Sequence, residues 1–432
     1  MENAKEATKT PPNWSRIVKS PPCLTIGGLL DTVFALHRDG VDLRVGESPL
    51  PAETSKNQWV GEKIISRPES PLRSKPAVRE SHGVGAFGGL FCLYSTSRPF
   101  NLRCEPSCVV ITGRAQAFMN SVKLGRSSLQ SSRLAFGCWR IAGTWNPIEV
   151  DAARFDTGRQ AVIAAYEAGY TLFDHADIYS GGMGETIFGQ VLREIPGMRA
   201  KILIATKCAI RRQGDPDPAS PYRYDTSARH IIASCEDSLG RLGVETIDIY
   251  QLHRPDYLAD PAEIASAFAD LRKAGKVREF GVSNFRPSQV EVLQRFCPMP
   301  LLVNQVEISL ARLCAFDDGT LDQCLGSGIT PLAWSPLGGG SLGTAHKANE
   351  SGPHHTVLYK LISALDAIGQ ARGVSRTTIA LAWLLKHPAG IVPIVGSTNP
   401  GRIAEAVRAE GINLSRDEWY SLIEAARGER LP

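Results

Sequence analysis

The 432-residue sequence has no apolar run long enough to cross a bilayer. A membrane-spanning helix needs about 20 mainly apolar residues. The most apolar early stretch, residues 83–94, is shorter than that and is interrupted by glycines. The N-terminus also has no basic segment followed by a compact apolar segment, which a secretory signal would have. The sequence therefore predicts a cytoplasmic protein without a membrane segment.

The ten cysteines do not have the repeated close pairs of a zinc site. Cys104 and Cys108 form one near pair, but no second pair follows elsewhere. We expect all ten to be reduced thiols in a reducing compartment. His346, His354 and His355 also lack metal-ligand spacing, so the sequence predicts no metal site.

The larger part of the chain has no excess of charge of either sign. Residues 1–118 contain 15 basic and 11 acidic side chains, whereas residues 119–432 contain 33 of each. Proteins that bind nucleic acid carry a basic excess on the binding domain. Nucleic acid is therefore not an expected partner, and the sequence leaves the oligomeric state open.

Residues 1–118 lack a sustained helical or strand period, and eleven prolines interrupt them. This composition predicts a largely disordered N-terminal extension. Gly83-Val-Gly85-Ala-Phe-Gly88 fits the pattern G-x-G-x-x-G, but it lacks a preceding strand and a following helix, so we interpret it as a chance match. Two origins of the extension stay open: a disordered partner-binding arm, or sequence upstream of a start at Met119.

From Met119 onward, eight short apolar runs alternate with helical patterns. The runs are residues 134–138, 171–176, 202–207, 247–252, 279–283, 302–306, 330–334 and 392–396. A hairpin around Gly125 is predicted before the first run. Helices are predicted at 228–242, from an N-cap at Asp260, at 400–410 and at 416–426. Strands that are each followed by a helix favour a (β/α)8 TIM barrel over residues 119–432, with an open doubly wound sheet as the alternative.

Polar residues follow these runs, as a barrel requires, because its chemistry lies at the C-terminal strand ends. Asp174 lies in the second run, Tyr179 comes five residues later, Lys207 ends the third run, and His253 follows the fourth. Each residue alone would be interpreted as packing, an ion pair or a structural histidine. Their occurrence at one rim indicates a catalytic site.

These segments resemble the aldo-keto reductase superfamily. In the order of the family they are Phe-Asp174-His-Ala-Asp-Ile-Tyr179, Ala-Thr-Lys207, Leu-His253-Arg-Pro-Asp, Gly-Val-Ser283-Asn284-Phe, Asn-Gln305-Val-Glu, Trp334-Ser335-Pro-Leu-Gly and Pro-Ile-Val-Gly396-Ser397. The resemblance runs from about Met119 to the C-terminus. It is strongest to the bacterial-type NADP-dependent oxidoreductases of the superfamily.

The resemblance implies hydride transfer from NADPH to the carbonyl of an aldehyde or ketone, with Asp174, Tyr179, Lys207 and His253 as a catalytic tetrad. Tyr179 would be the general acid, and Lys207 would lower the pKa of its phenol from about 10. Asp174 would hold Lys207 charged, and His253 would orient the substrate carbonyl. The cofactor would supply the hydride.

The same resemblance implies that NADPH binds along the ends of strands five to eight. Its predicted contacts are Ser283, Asn284 and Gln305 to the carboxamide, Trp334 to the nicotinamide ring, Ser335, Pro336 and Leu337 to the pyrophosphate, and Gly396, Ser397, Thr398, Arg402 and Glu405 to the adenosine phosphate. Arg402 is the candidate for the 2′-phosphate, because a guanidinium can donate two bonds to phosphate oxygens. Gly396 and Ala406 replace a lysine and an asparagine that many NADPH-specific members carry, so NADH is the less favoured alternative.

Trp139 and Arg140, after the first strand, are predicted to line the mouth for a small carbonyl substrate. The long loop 208–226 is expected to influence specificity, as long loops on barrels do. A cofactor-binding regulatory subunit resembling the potassium-channel β subunits is the alternative function, because a fold alone does not fix an activity. The complete tetrad favours the enzyme.

Overall fold

A computed structural model of the chain describes residues 119–345 and 353–432, without the side chains of residues 353–355. Two sets of predictions lie outside the described residues. They are those for the extension 1–118, with its G-x-G-x-x-G segment, and those for the side chains of His346, His354 and His355.

Eight parallel strands form a closed barrel in which each strand pairs with its sequence neighbours. The strands are β1 (Ala135–Gly137), β2 (Leu172–Asp174), β3 (Leu203–Cys208), β4 (Ile247–Leu252), β5 (Val277–Ser283), β6 (Leu301–Glu307), β7 (Thr330–Trp334) and β8 (Val392–Val395). Pairing of Ile394 with Ala135 and of Val395 with Phe136 closes the circle between β8 and β1. The predicted TIM barrel is confirmed, and the open doubly wound sheet is excluded.

Helices follow the strands and cover the outside of the barrel. They are α1 (Ala152–Glu167), α2 (Met183–Glu194), α3 (Ala228–Leu242), α4 (Pro261–Lys273), α5 (Pro287–Phe296), α6 (Cys314–Asp317), α7 (Thr320–Ser327), α8 (Pro353–Arg372), α9 (Arg376–Leu385), α10 (Pro400–Val407) and α11 (Arg416–Arg427). The Asp260 side chain accepts from the amide of Ala262 and caps α4, as its sequence predicts. Helix α3 has the predicted bounds.

A short hairpin closes the N-terminal end of the barrel. Its strands, Ser121–Lys123 and Gln130–Ser132, pair antiparallel. Between them, Leu124 is fully buried and Leu129 is 3% exposed, and both pack into the apolar core inside the barrel. The amide of Gly125 donates to Thr330 Oγ1 at the start of β7, which fixes the hairpin to that end.

The alternation of side chains along each strand divides the barrel interior into an apolar and a polar part. Inner residues near the strand starts belong to one apolar core. Three polar residues follow an inner apolar residue by two positions: Asp174 after Leu172, Lys207 after Ala205, and Gln305 after Val303. The polar side chains therefore gather inside the barrel near the C-terminal ends of its strands.

No helix in residues 119–345 or 353–432 combines the length and apolar character of a membrane span. The six cysteines in these ranges form no disulfide with one another.

Candidate active site

Asp174, Tyr179, Lys207 and His253 meet at the C-terminal end of the barrel. Lys207 Nζ lies 2.8 Å from Asp174 Oδ2 and 3.3 Å from Tyr179 Oη, and it donates to the carbonyl of His175 at 2.6 Å. The rings of Tyr179 and His253 cross edge to face with centroids 5.8 Å apart. The structure thus brings together four side chains from three segments of the chain.

Unusual backbone conformations surround this site. Four non-glycine residues in the described ranges have a positive φ, and each comes shortly after a barrel strand: Ser180 (51°), Ala209 (89°), Asn284 (62°) and Ser335 (49°). Such conformations cost about 1–3 kcal/mol each and occur often at functional sites. Asn adopts them readily, whereas nothing in the sequence marked the other three. The tertiary structure therefore holds strained loops around the polar end of the barrel.

Lys207 is a fully buried ammonium with a carboxylate partner. Its side chain is 0% exposed, and that of Asp174 is 4% exposed. Burial alone would lower the pKa of Lys207, but Asp174 and the Tyr179 phenol together raise it above its ordinary value. Lys207 therefore stays charged at neutral pH, as the sequence interpretation requires.

Burial raises the pKa of the Tyr179 phenol above its ordinary value of about 10. Lys207 acts in the opposite direction and lowers the pKa, but burial together with the charge of Asp174 outweighs it. The sequence interpretation had the correct sign for Lys207 and did not include the larger effect of burial. Tyr179 consequently carries its proton at neutral pH.

His253 is neutral at physiological pH. Burial, followed by the cations Lys207 and Arg254, lowers the pKa of the His253 imidazole well below its ordinary value. The ring thus has one N–H and one acceptor nitrogen. His253 can orient a polar group without contributing a charge.

The residues predicted to contact the nicotinamide form one hydrogen-bonded network. Trp334 Nε1 donates to Asn284 Oδ1 at 3.0 Å, and Asn284 Nδ2 donates to Ser283 Oγ at 2.9 Å. Ser283 Oγ donates to the backbone carbonyl of Gln305 at 2.8 Å. Gln305 Nε2 in turn donates to Asp174 Oδ1 at 2.7 Å. This last bond, which the sequence interpretation missed, joins the predicted nicotinamide contacts to the tetrad.

The predicted phosphate contacts lie at the ends of β7 and β8. Ser335 and Leu337 are half-buried, while Pro336 is buried. Beyond β8, Gly396 is exposed, Ser397 and Thr398 are half-buried, and helix α10 begins with Asn399 as its N-cap. On α10, Arg402 is exposed and Glu405 is half-buried, whereas Ala406 is buried in the core. Of these helix residues, Arg402 is the cation available to an anion near the helix N-terminus.

Aromatic side chains line the approach to Tyr179. Trp139 is 39% exposed, and its ring lies 5.6 Å from that of Trp145, which is itself 6.4 Å from the Tyr179 ring. The Arg140 guanidinium lies 4.9 Å from the Trp139 ring centroid. Of these residues, Trp145 was not predicted. Trp145 lies in a loop, two residues after Gly143, and belongs to no hydrophobic period or motif that would have indicated a position near the site.

A second buried carboxylate, also not predicted, supports the strand that carries Lys207. Glu185 is fully buried on α2 and accepts from Thr206 Oγ1 at 2.5 Å and from Arg241 Nε at 2.7 Å. Burial, assisted by Glu185, raises the pKa of the neighbouring Asp177 to about 7. An acid among the apolar inward residues of α2 was the available sequence signal for Glu185.

Comparison with known proteins confirms the family resemblance of the sequence. The profile of the Aldo/keto reductase family matches residues 133–427. The chain is 43% identical to a 6-dehydroglucose reductase of Novosphingobium aromaticivorans over 316 residues, covering 72% of this chain and 96% of that protein. It is 36% identical to oxidoreductase YdhF of Escherichia coli, covering 70% of this chain and 95% of that protein.

Solved structures show the same similarity. The glycerol dehydrogenase of Gluconobacter oxydans matches with a TM-score of 0.64 and 26% identity, covering 72% of this chain and 97% of its own. The thermostable aldo-keto reductase Tm1743, solved with the inhibitor epalrestat, matches with a TM-score of 0.60 and 26% identity, covering 71% of this chain and 100% of its own. The chain belongs to the aldo/keto reductase family.

Proposed function

We propose that this oxidoreductase reduces an aldehyde or ketone with NADPH and that Tyr179 is its general acid. The observation that carries the proposal is the position of the Tyr179 hydroxyl, 3.3 Å from a buried ammonium that Asp174 holds at 2.8 Å. A protonated phenol beside a fixed cation suits proton donation, because the cation stabilises the phenolate that is left.

The side chains present fit a nicotinamide dinucleotide phosphate. Hydroxyl and amide groups of Ser283, Asn284 and Gln305 have the donors and acceptors that a carboxamide requires, and the half-buried Trp334 ring lies beside them. The N-terminus of α10 with the exposed Arg402 suits a phosphate. These residues support NADPH over NADH as the cofactor.

When bound, the cofactor supplies the hydride for the carbonyl carbon. Tyr179 Oη gives its proton to the carbonyl oxygen, and the Lys207 ammonium stabilises the resulting phenolate. The neutral His253 orients the carbonyl through one ring nitrogen. Asp174 keeps Lys207 charged inside the barrel, where an unpaired ammonium would lose its proton readily.

The substrate class is suggested by the relatives and by the mouth of the site. Two relatives, 43% and 40% identical, are named 6-dehydroglucose reductases. Exposed aromatic rings such as Trp139 and Trp145 offer flat apolar surfaces on which the C–H faces of a sugar can pack. A carbonyl derivative of a hexose is therefore the first substrate to test.

The test is the loss of reduced-nicotinamide absorbance with 6-dehydroglucose and with a panel of aliphatic and aromatic aldehydes. Tyr179→Phe should lower kcat by about 100-fold or more, because it removes the acid. NADPH affinity should stay within about threefold, because the phenol is not a predicted cofactor contact. Tyr420→Phe, on the exposed face of α11, is the matched control.

Turnover that survives in Tyr179→Phe would exclude the acid role. Tight NADPH binding by the wild-type chain without turnover of any substrate in the panel would instead favour the regulatory-subunit function.

A further inference from the structure

The Asp174 carboxylate is held from two sides inside the barrel. Oδ2 accepts from Lys207 Nζ at 2.8 Å, and Oδ1 accepts from Gln305 Nε2 at 2.7 Å. Asp174 and Gln305 are each 3% exposed and belong to β2 and β6, which are not neighbours in the barrel. The amide of Gln305 therefore reaches the tetrad across the barrel interior.

A buried carboxylate remains ionised only when donors compensate for the water that it has lost. Lys207 supplies one donor and Gln305 supplies the other. The Gln305 amide also competes with Lys207 for the charge of Asp174. Weakening the hydrogen bond from Gln305 Nε2 would leave more of the Asp174 charge to attract the Lys207 ammonium. The ammonium would then move away from the Tyr179 hydroxyl, which at 3.3 Å is the longest of its three hydrogen-bond contacts.

The carboxylate also determines the orientation of the Gln305 amide. An ionised carboxylate can only accept hydrogen bonds, so the NH2 group must point toward Asp174. The amide oxygen Oε1 is then the group that can accept from a ligand. A carboxamide NH2 of a nicotinamide is a donor of the required kind.

We propose that Gln305 is a positioning residue of the tetrad, which holds Asp174 through Nε2 and presents Oε1 to the nicotinamide. One side-chain amide thus connects the cofactor contact to the Asp174–Lys207 ion pair beside Tyr179. This inference rests on the proposed function for the roles of the tetrad and the cofactor. It goes beyond a cofactor contact, because it assigns Gln305 an effect on Tyr179 that exists before any cofactor is bound.

The charged and titratable groups that face Tyr179 can all affect its titration. Lys207 on β3 and Asp174 on β2 are charged, the His253 ring after β4 is neutral, and the Cys138 thiol after β1 is fully buried with a raised pKa. Gln305 has no charge of its own. A change at position 305 can therefore reach Tyr179 electrostatically only through the Asp174–Lys207 pair or through a newly introduced charge.

The experiment titrates Tyr179 in the full-length, cofactor-free protein by NMR of tyrosine labelled with ¹³C at Cζ, with Tyr179→Phe identifying the resonance. Gln305→Met removes the donor at similar volume and should raise the pKa of Tyr179 by about half a unit or more. Gln305→Glu keeps the shape and adds a carboxylate that is ionised where the phenol titrates. It should raise the pKa of Tyr179 by about one unit or more.

Asn304→Leu is the matched control, because it removes the neighbouring buried amide of β6, which donates to the Phe285 carbonyl and not to Asp174. It should leave the Tyr179 titration at the wild-type position. An unchanged or lowered pKa of Tyr179 in Gln305→Met or in Gln305→Glu, or an equal shift in Asn304→Leu, overturns the proposal. Failure of the proposed function would be seen separately, as absence of NADPH turnover, while the cofactor-free titration remained readable.

Discussion

Removal of one partner of the buried ion pair of Asp174 and Lys207 should destabilise the barrel more than replacement of both partners by apolar side chains of similar volume. Both side chains are almost completely enclosed, with 4% and 0% exposure. Removing two charges from water costs several kcal/mol per ion, and their mutual attraction recovers that cost only in part. Lys207→Met and the double variant Asp174→Leu/Lys207→Met test this balance.

The single variant leaves a buried carboxylate with Gln305 Nε2 as its main remaining donor. Breaking a buried pair in this way costs about 3–5 kcal/mol. The double variant removes both charges and leaves the Gln305 donor without its acceptor, which costs about 1–3 kcal/mol. The added apolar contacts offset part of this loss. We therefore expect the double variant to be more stable than Lys207→Met by about 2 kcal/mol.

The free energy of unfolding can be measured by urea titration with tryptophan fluorescence as the signal, to which the stacked Trp383 and Trp419 contribute. Both variants should lack reductase activity, although their free energies of unfolding should differ. Tyr179→Phe, which removes one hydroxyl and no charge at neutral pH, is a control and should lie within about 1 kcal/mol of the wild type. A double variant as unstable as Lys207→Met would refute the reasoning, because it would show that the uncompensated charge is not the source of the loss.

Two further predictions concern the cofactor and pH. Arg402→Ala should weaken NADPH binding by about 10- to 100-fold, since a hydrogen bond to a charged group contributes about 1.5–3 kcal/mol. The same variant should change NADH binding by less than about threefold. Both affinities are measurable by quenching of tryptophan fluorescence, and an equal loss for the two cofactors would contradict a contact with the 2′-phosphate. The pKa of Tyr179 is raised above its ordinary value, and the pKa of His253 is lowered well below its own. Neither group therefore titrates near neutral pH, and kcat for reduction at saturating NADPH should be constant there. It should fall only at alkaline pH, as the phenol ionises. A limb of the kcat profile near the ordinary histidine pKa of about 6.5 would show that His253 ionises in the working enzyme.

The sequence predicted the elements of the fold well, because their signals are local. Each of the eight apolar runs overlaps a strand, and α3 has the predicted bounds. Capping groups and hydrophobic periods act over a few residues, so they can be recognised without knowledge of the partners. The polar strand ends also predicted that Asp174, Tyr179, Lys207 and His253 would lie together at one rim, because parallel strands bring their carboxyl ends to one side of a barrel.

Closure of the sheet could not be decided from these local signals, because an open and a closed sheet of alternating strands and helices share the same pattern. The pairing of β8 with β1 decided it. Trp145 was missed for a related reason, since only the folded loop brings its ring to 6.4 Å from that of Tyr179.

The sequence by itself determined the eight strands, four of the helices and the polar side chains that follow several strands, because backbone period and side-chain type act over short distances. The tertiary structure decided how those side chains interact. Gln305 contacts Asp174 from 131 positions away in the chain, and burial outweighs the effect of Lys207 on the pKa of Tyr179. Contacts across a barrel and the loss of surrounding water depend on closure and register, which arise only when all eight strands have assembled.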